Sequence, residues 1–244
     1  MEAKIGCATH IGAREVQQDA VGHFSDPAQQ RYLVVLADGM GGHEQGAVAA
    51  QTVVDAAKLL WPTISATVDG HAFLLDLAQQ AHRRMIAATE GQGHATMVAL
   101  LVIGNQAWWA HAGDSRLYHF TATQPPARTE DHSLVEQLHQ AGAIEEHQMA
   151  NHPEQHILFQ GLGGGAEPDP CTAQCTLEQR HYFVLCSDGF WGAIRSDEFP
   201  GLFKAHDLNT AARAWTTIAA QRHPKTSDNI AVALAEFTPE HNPS

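Results

Sequence analysis

The chain has 244 residues, 44% of them hydrophobic and 17% charged, so it can bury a real core and is not a disordered chain. Its 27 acidic and 14 basic residues give a formal net charge of −13, which disfavours binding to nucleic acid or to an anionic membrane surface. Because no apolar run reaches the ~20 residues of a membrane-spanning helix and the N-terminus lacks a signal-peptide core, we expect a monomeric, cytoplasmic protein with reduced cysteines.

The predicted elements of the first half are short strands interrupted by two helices. The strands are apolar runs bounded by turn residues, at 5–11, 20–25, 32–38, 96–103, 106–112 and 116–121. Apolar residues at helical spacing predict helices over 47–61, which Pro62 ends, and over 71–88. Because short turns join neighbouring strands, we expect them to pair antiparallel.

In the second half, a helix is predicted over 134–141, where Ser133 can cap the free amides and Gly142 ends the helix. Residues 143–170 follow no period, which is typical of a lid beside a functional site. The remaining elements are strands at 172–177, 182–187 and 230–236, helices at 196–204 and 209–221, and a tail at 238–244. Since no repeat or linker interrupts this pattern, we predict one domain over 1–237 with an α+β fold.

Acidic residues stand at the ends of several predicted strands. Asp38 follows an apolar strand and precedes the glycine-rich turn 39–42, where the backbone can approach an ion or a phosphate. Asp114 and Asp188 also end apolar runs, and Asp228 precedes the last one. Any one of them fits an ordinary turn, whereas four indicate one cluster. Clustered carboxylates repel one another unless cations lie among them, and Mg²⁺ and Mn²⁺ prefer oxygen ligands.

A set of ordered motifs extends this pattern over nearly the whole chain. The motifs are Arg14-x-x-Gln17-Gln18-Asp19, Asp38-Gly39-Met40-Gly41-Gly42-x-x-x-Gly46, Gly93-x-Ala95-Thr96, Gly113-Asp114-Ser115-Arg116-x-Tyr118, Asp131-His132-Ser133, Ser187-Asp188-Gly189 and Ser227-Asp228-Asn229-Ile230. In this order they resemble the PP2C-type (PPM) metal-dependent serine/threonine protein phosphatases of the compact bacterial form. The resemblance implies a four-layer α/β/β/α sandwich, in which two stacked, mainly antiparallel sheets are flanked by helices.

The resemblance also implies a set of metal ligands. Asp38 would bridge two ions, Mn²⁺ or Mg²⁺, and the Gly39 carbonyl would be a further ligand. Asp188 and Asp228 would hold one of these ions. Such ions lower the pKa of a water molecule, so that it can attack phosphorus directly and no covalent enzyme intermediate is needed.

Four further features take their roles from the resemblance. Asp19 resembles the first acidic position near the metals, and Asp114 would serve a third, weaker metal position. Arg14 would grip the substrate phosphate, since a guanidinium can donate two parallel hydrogen bonds to it. The irregular segment 143–170 corresponds to a variable flap beside the active site.

The predicted function is dephosphorylation of phosphoserine and phosphothreonine in proteins, as the partner of a serine/threonine kinase. Two departures from the family pattern leave alternatives open. Gln17 stands where the family usually has Asn, and Met40 stands where many eukaryotic members have a His proposed to protonate the leaving group. These departures would also fit a non-catalytic pseudophosphatase that binds phosphoproteins. A third alternative is a hydrolase of small phosphoesters.

Other motifs indicate less. His152 and His156 imitate the zinc-protease pattern, but the Glu is misplaced and Pro153 disfavours the shared helix that such a site needs. Cys171 and Cys175 have a spacing that could bind a metal or undergo redox chemistry, although reduced, non-functional cysteines are the simpler interpretation. Most of the 17 histidines are predicted to face solvent.

Overall fold

The computed structural model describes residues 1–239, so most of the predicted tail, from residue 240 to 244, lies outside the described residues. The strands are β1 (Glu2–His10), β2 (Asp19–Asp26), β3 (Arg31–Met40), β4 (His94–Ala95), β5 (Met97–Ile103), β6 (Gln106–Ala112), β7 (Arg116–Thr121), β8 (Ala127–Arg128), β9 (Cys171–Thr176), β10 (His181–Cys186) and β11 (Ile230–Thr238). The α-helices are α1 (His43–Leu60), α2 (Gly70–Thr89), α3 (Leu134–Gln140), α4 (Glu146–Met149), α5 (Asp188–Trp191) and α6 (Leu208–Arg222).

These strands form two sheets whose pairings are all antiparallel. One, here called the β11 sheet, has the order β1-β11-β10-β7-β8. The other, the β3 sheet, has the order β2-β3-β5-β6-β9, and β4 pairs with the last residues of β3. None of the helices in the described part of the chain is both long and apolar enough to cross a bilayer.

The central strands are apolar on both faces because each sheet is covered on both sides. In β3, Leu33 and Val35 pack with helices α1 and α2, whereas Val34 and Leu36 pack against the β11 sheet. Strand β11 alternates in the same way: one face packs against the β3 sheet, and the opposite face packs against α6. Side chains alternate between the faces of a strand, so a continuous apolar run marks a strand buried on both sides. The predicted four-layer α/β/β/α sandwich is confirmed.

The structure differs from the sequence prediction in detail. Helix α1 begins at His43, four residues before the predicted start at 47, directly after the glycine turn. The predicted helix over 196–204 is a 3₁₀ helix with Pro200 inside it, because proline lacks the N–H that a regular α-helix would use there. Ser133 caps α3 by accepting a hydrogen bond from the Glu136 amide, as the sequence predicted.

Candidate metal centre

Strand register places the first two acids side by side. In the antiparallel pairing of β2 with β3, Asp19 lies directly opposite Asp38. The charge of Asp19 raises the pKa of Asp38, and Asp19 is only 6% exposed. Two carboxylates this close need either a shared proton or a cation between them.

Three more acids reach the same place from other elements. Asp114 lies in the turn between β6 and β7, Asp188 begins α5 directly after β10, and Asp228 precedes β11. A cavity of about 180 Å³ is lined by Asp38 together with these three side chains. The structure therefore brings the sequence-predicted acids together, with Asp19 buried behind Asp38.

Carboxyl groups outnumber basic groups in this cluster, where Arg14 is the one arginine of the described residues that lines the cavity. Burial, and then the neighbouring carboxylates, raise the pKa of Asp38 and of Asp114 well above the ordinary range. Burial raises the pKa of Asp188 to about 6, and Asp228 adds to that rise. For Asp19, burial outweighs a hydrogen bond from Ser187 and raises the pKa to about 8. Burial among like charges thus favours the protonated forms of Asp19, Asp38 and Asp114, unless a cation replaces the protons.

The donor set fits hard divalent cations. Every acid in the cluster offers carboxylate oxygen, the ligand that Mn²⁺ and Mg²⁺ prefer. Asp19 Oδ1 is buried and receives no hydrogen bond from a donor within the described residues. Gly39 lines the same cavity. A buried, unpaired carboxylate oxygen is costly, and a bound cation would satisfy it.

Hydrogen bonds between distant segments hold the acids in place. Ser187 Oγ donates to Asp19 Oδ2 at 2.7 Å and accepts from the Ala231 amide at 2.9 Å. Asn229 Oδ1 accepts from the Gln18 amide at 2.8 Å, while Asn229 Nδ2 donates to the Ile11 carbonyl at 2.9 Å. The strand ends that carry the acids are thus tied to each other. The motifs around Asp188 and Asp228 therefore contribute scaffold as well as ligands.

The glycine turn after Asp38 permits close backbone packing. A Cβ on Gly39 would overlap the carbonyl group of Gly46 in α1. The Gly39 amide donates to the Gln18 carbonyl at 3.0 Å, and the Asp38 amide donates to Thr96 Oγ1 at 2.9 Å. Only glycine at position 39 lets α1 lie this close to the acidic strand end.

Arg14 lies at the edge of the acid cluster. Its Nη2 donates to Asp228 Oδ2 at 2.6 Å, and its side chain remains 53% exposed. That hydrogen bond uses one of the five N–H donors of the guanidinium. Arg14 also lines a neighbouring cavity of about 330 Å³, together with Asp188 and Asp228. The arrangement places a partly free cation beside the acids, where an anionic group could bind.

The irregular segment 143–170 lies over the cavity, as a flap would. His156 and Leu158 from this segment line the cavity beside Met40. Sequence reasoning missed His156 because an unpatterned loop gives no signal for where its side chains lie. The charge of His156 lowers the pKa of Asp188, although burial and Asp228 outweigh that effect.

A buried ion pair supports the Asp114 turn. Arg116 Nη2 donates to Asp131 Oδ2 at 2.7 Å, and both side chains are almost fully buried. The guanidinium also stacks on Trp191, 3.6 Å from the ring centroid. Trp191 Nε1 in turn donates to the Asp114 carbonyl at 3.0 Å. This chain of contacts gives the motifs around Arg116 and Asp131 a structural role.

Comparison with known proteins agrees with this geometry. The family model described as protein phosphatase 2C matches residues 7–235. Protein phosphatase PhpP of Streptococcus pneumoniae is 31% identical, and the match covers 97% of this chain and 98% of that protein.

Solved structures show the same architecture. The S. agalactiae serine/threonine phosphatase is 27% identical and superposes with a TM-score of 0.82, covering 96% of this chain and 99% of that one. The catalytic domain of the serine threonine protein phosphatase PstP, solved in complex with 2 manganese ions, is 23% identical and also has a TM-score of 0.82. The second match covers 97% of this chain and 99% of that one and shows a shared fold.

Proposed function

Because the chain belongs to the protein phosphatase 2C family, we propose that it removes phosphate from phosphoserine and phosphothreonine in proteins, using Mn²⁺ or Mg²⁺ held by the acid cluster. The observation that carries this proposal is the convergence of Asp38, Asp114, Asp188 and Asp228 on one cavity, although they come from distant parts of the chain. Such a cluster is costly without cations and matches the ligand preference of hard divalent ions.

In this proposal each acid has a distinct part. Asp38 and the Gly39 carbonyl would hold the ions together with Asp188 and Asp228, and Asp114 would hold an additional ion. Asp19 supports Asp38 from the buried side, where its Oδ1 lacks a protein donor within residues 1–239. When bound, the ions would lower the pKa of a water molecule and stabilise negative charge on the phosphoryl oxygens.

Arg14 binds the substrate phosphate in this proposal. Its guanidinium lies at the cavity edge, is half exposed and keeps donors beyond the one used by Asp228. A guanidinium can donate to two phosphoryl oxygens at once, which orients the phosphorus toward the acids. Asp228 fixes the guanidinium before substrate arrives, so less rotational freedom is lost on binding.

We assign to His156 the role of donating a proton to the leaving group. Met40 cannot donate a proton, whereas His156 brings an imidazole from the flap to the mouth of the same cavity. A serine alkoxide is a poor leaving group and gains from protonation by a positioned acid. In this proposal the flap therefore contributes a general acid as well as a surface for the substrate.

Other features of the proposal stay predictions from the sequence. They are a serine/threonine kinase as partner, a monomeric state, action in the cytoplasm, and the domain limit 1–237. The acidic balance of the chain supports a protein substrate over nucleic acid, because sequence-independent nucleic-acid binding needs clustered basic residues.

The test is turnover of a phosphoserine peptide by protein stripped with EDTA and then given Mn²⁺ or Mg²⁺. We expect turnover only with added ions, and a loss of at least about 10²-fold in Asp38→Asn, since loss of even an outer partner of a metal ligand costs 10–100-fold. Asp76→Asn, which removes an exposed acid from α2, is the matched control and should keep full turnover.

Each alternative gives a different outcome. Peptide binding without turnover under any ion would favour the non-catalytic pseudophosphatase. Faster turnover of small phosphoesters than of phosphopeptides would favour a metabolite hydrolase. Full activity of Asp38→Asn in excess EDTA would refute the metal-dependent proposal.

A further inference from the structure

A second group of metal-binding side chains lies between the two sheets. It consists of His119 on β7, Cys175 on β9 and His181 on β10, and the ligand atoms of all three lie within 4.8 Å of one another. His119 Nε2 and His181 Nδ1 are 2.8 Å apart, and the two rings are nearly parallel, at 7°. All four cysteines of the chain are free thiols, so the Cys175 sulfur is available.

The strand register explains why these residues meet. His119 lies opposite Phe183 in the β7–β10 pairing, so His181 is its diagonal neighbour on the same face. That face looks toward the β3 sheet, where Cys175 packs into the layer between the sheets. The group therefore takes two ligands from one sheet and one ligand from the other.

The group is separate from the acid cluster. His181 is the first residue of β10 and Cys186 is its last, and Asp188 follows Cys186 by two residues. Five steps along a strand of about 3.3 Å each put roughly 16 Å between the two ends of β10. No acid of the metal centre belongs to this group.

The chemistry of the ligands differs as well. Two imidazole nitrogens and one thiolate sulfur suit a borderline-soft ion such as Zn²⁺, whereas Mn²⁺ and Mg²⁺ favour oxygen. Burial, and then the neighbouring His181, lower the pKa of His119 to about 4, and burial also lowers the pKa of His181, so both rings are neutral near pH 7. Neutral imidazole is the form that binds metals.

We propose that His119, Cys175 and His181 form a second metal site that takes Zn²⁺ or a similar thiophilic transition-metal ion. In a tetrahedral zinc site with Zn–N bonds of about 2.0–2.1 Å and a Zn–S bond of about 2.3 Å, the ligand atoms lie about 3.3–3.7 Å apart. The two histidine nitrogens, 2.8 Å apart, would have to separate by about half an ångström. The sulfur lies within 4.8 Å of both nitrogens, so changes in side-chain rotamers can bring all three atoms to this spacing. Binding would release the proton of the Cys175 thiol, whose pKa burial raises to about 11. The proton between the two rings would move to the other nitrogen of its own ring, so both imidazoles would stay neutral.

One of the three proposed ligands borders a cavity. His119 lines a cavity of about 570 Å³ that also contacts Ala173 and Thr172 on the edge strand β9. Cys171, on the same strand, is not a fourth protein ligand. It is four residues away, about 13 Å along the strand, and its sulfur lies 3.2 Å from His132 Nε2. No fourth His, Cys, Asp or Glu of the described residues belongs to the group, so a water molecule would have to complete a tetrahedral site.

A bound ion would cross-link the two sheets. β9 is the outermost strand of the β3 sheet and directly follows the flap segment 143–170. Its side chains are mostly exposed, so few apolar contacts hold it to the β11 sheet. Tying Cys175 to His119 and His181 would fix this strand, and with it the C-terminal end of the flap.

Cobalt titration tests the site, because Co²⁺ replaces Zn²⁺ and a cobalt–thiolate bond gives a charge-transfer absorption that carboxylate ligands do not give. We expect one thiolate-bound Co²⁺ per chain in metal-stripped wild-type protein and in Cys171→Ser, the matched control from the same strand. Cys175→Ser should lose the absorption, and His181→Asn should weaken Co²⁺ binding by at least about 10²-fold. Mn²⁺-dependent turnover confirms that each variant is folded.

A stability measurement gives a second readout. Zn²⁺ should raise the Tm of EDTA-stripped Cys171→Ser by several degrees, and it should raise the Tm of Cys175→Ser much less. Wild-type protein without thiolate–cobalt absorption would overturn the proposal whatever the variants do. So would an absorption that survives in Cys175→Ser, since it would then arise from another cysteine, such as Cys7 beside His23.

Discussion

At the scale of single residues, the Asp38 carboxyl has the most crowded surroundings. Burial raises its pKa, and so do the charges of Asp19, Asp188, Asp114 and Asp228, in that order. Burying a neutral polar group without a hydrogen-bond partner costs on the order of 1–3 kcal/mol, and burying an unpaired charge costs more. Gathering these carboxyls therefore lowers the stability of the folded protein. The arrangement makes sense when cations share the space.

His156→Gln tests the proposed proton donor. We expect turnover of a phosphoserine peptide to fall by about 10²-fold or more, which is the usual contribution of a general acid. Hydrolysis of p-nitrophenyl phosphate should change little, since nitrophenolate leaves without a proton. His152→Gln is the matched control, a histidine of the same flap that does not line the cavity. Equal losses on both substrates would show that His156 positions the flap and does not supply the proton.

Sequence reasoning finds the acids but not the histidines. Asp38 and Asp188 could be found because strand ends leave a local signal, an apolar run followed by Asp-Gly. His156 lies in a segment without period, so only the folded chain shows what it faces. Most histidines were predicted to face solvent, without a separate prediction for His119 or His181, whereas His181 is 6% exposed and His119 is half-buried between the sheets.

At the scale of elements, contacts between backbones decide where strands and helices can pack. Gly6 in β1 lies against the first turn of α6, and a Cβ at Gly6 would overlap the Leu208 carbonyl. The neighbouring Cys7 amide donates to Asn209 Oδ1 at 3.3 Å. The β11 sheet and α6 therefore approach each other through a glycine, in the same way that β3 and α1 approach through Gly39.

Gly6→Ala should push α6 away from the sheet. We expect a loss of about 1–3 kcal/mol in the free energy of unfolding, the usual cost of overpacking, or more if the helix cannot move. Gly165→Ala is the control, because nothing lies within 4 Å of a Cβ there. Urea unfolding of both variants makes the measurement. If the urea midpoints of both variants equal that of wild type, the contact between β1 and α6 leaves room for a Cβ at Gly6.

The elements could be predicted where periodicity is strong. The long strands and helices α1, α2 and α6 follow from apolar spacing, whereas β4 and β8 have two residues each and leave no pattern. The 3₁₀ helix over Ser196–Lys204 has helical apolar spacing, and only Pro200 indicated the tighter turn. The stacking of two sheets came from the family resemblance, whereas the order of strands within each sheet was not predicted, since pairing between distant strands has no local signal.

At the scale of the whole molecule, the acid cluster should make stability depend on pH and on metal. The unfolded carboxyl pKa is about 3.9, while the folded pKa is about 6 for Asp188 and about 8 for Asp19. A raised pKa means that the folded form binds the proton more tightly. The contribution of these bound protons to the free energy of unfolding is therefore complete below about pH 4, and it is lost as the pH rises through 6 and 8.

Thermal unfolding in EDTA should show this loss. We expect the Tm of metal-free wild type to fall between pH 5 and pH 9, and to fall less in Asp38→Asn, which removes one charge from the cluster. Added Mn²⁺ should restore more stability at pH 8 than at pH 5, because protons compete with the metal at low pH. Equal pH dependence of the wild type and the variant, both in EDTA, would show that the cluster does not control stability.

The proposed activity depends on divalent ions held by acids from separate strand ends. The most direct measurement is anomalous X-ray scattering at the manganese absorption edge, from crystals grown with Mn²⁺. We expect at least two manganese peaks within the cavity lined by Asp38, Asp188 and Asp228, with Asp38 contacting both. An empty cavity beside these side chains at saturating Mn²⁺, or manganese bound only elsewhere, would contradict the account.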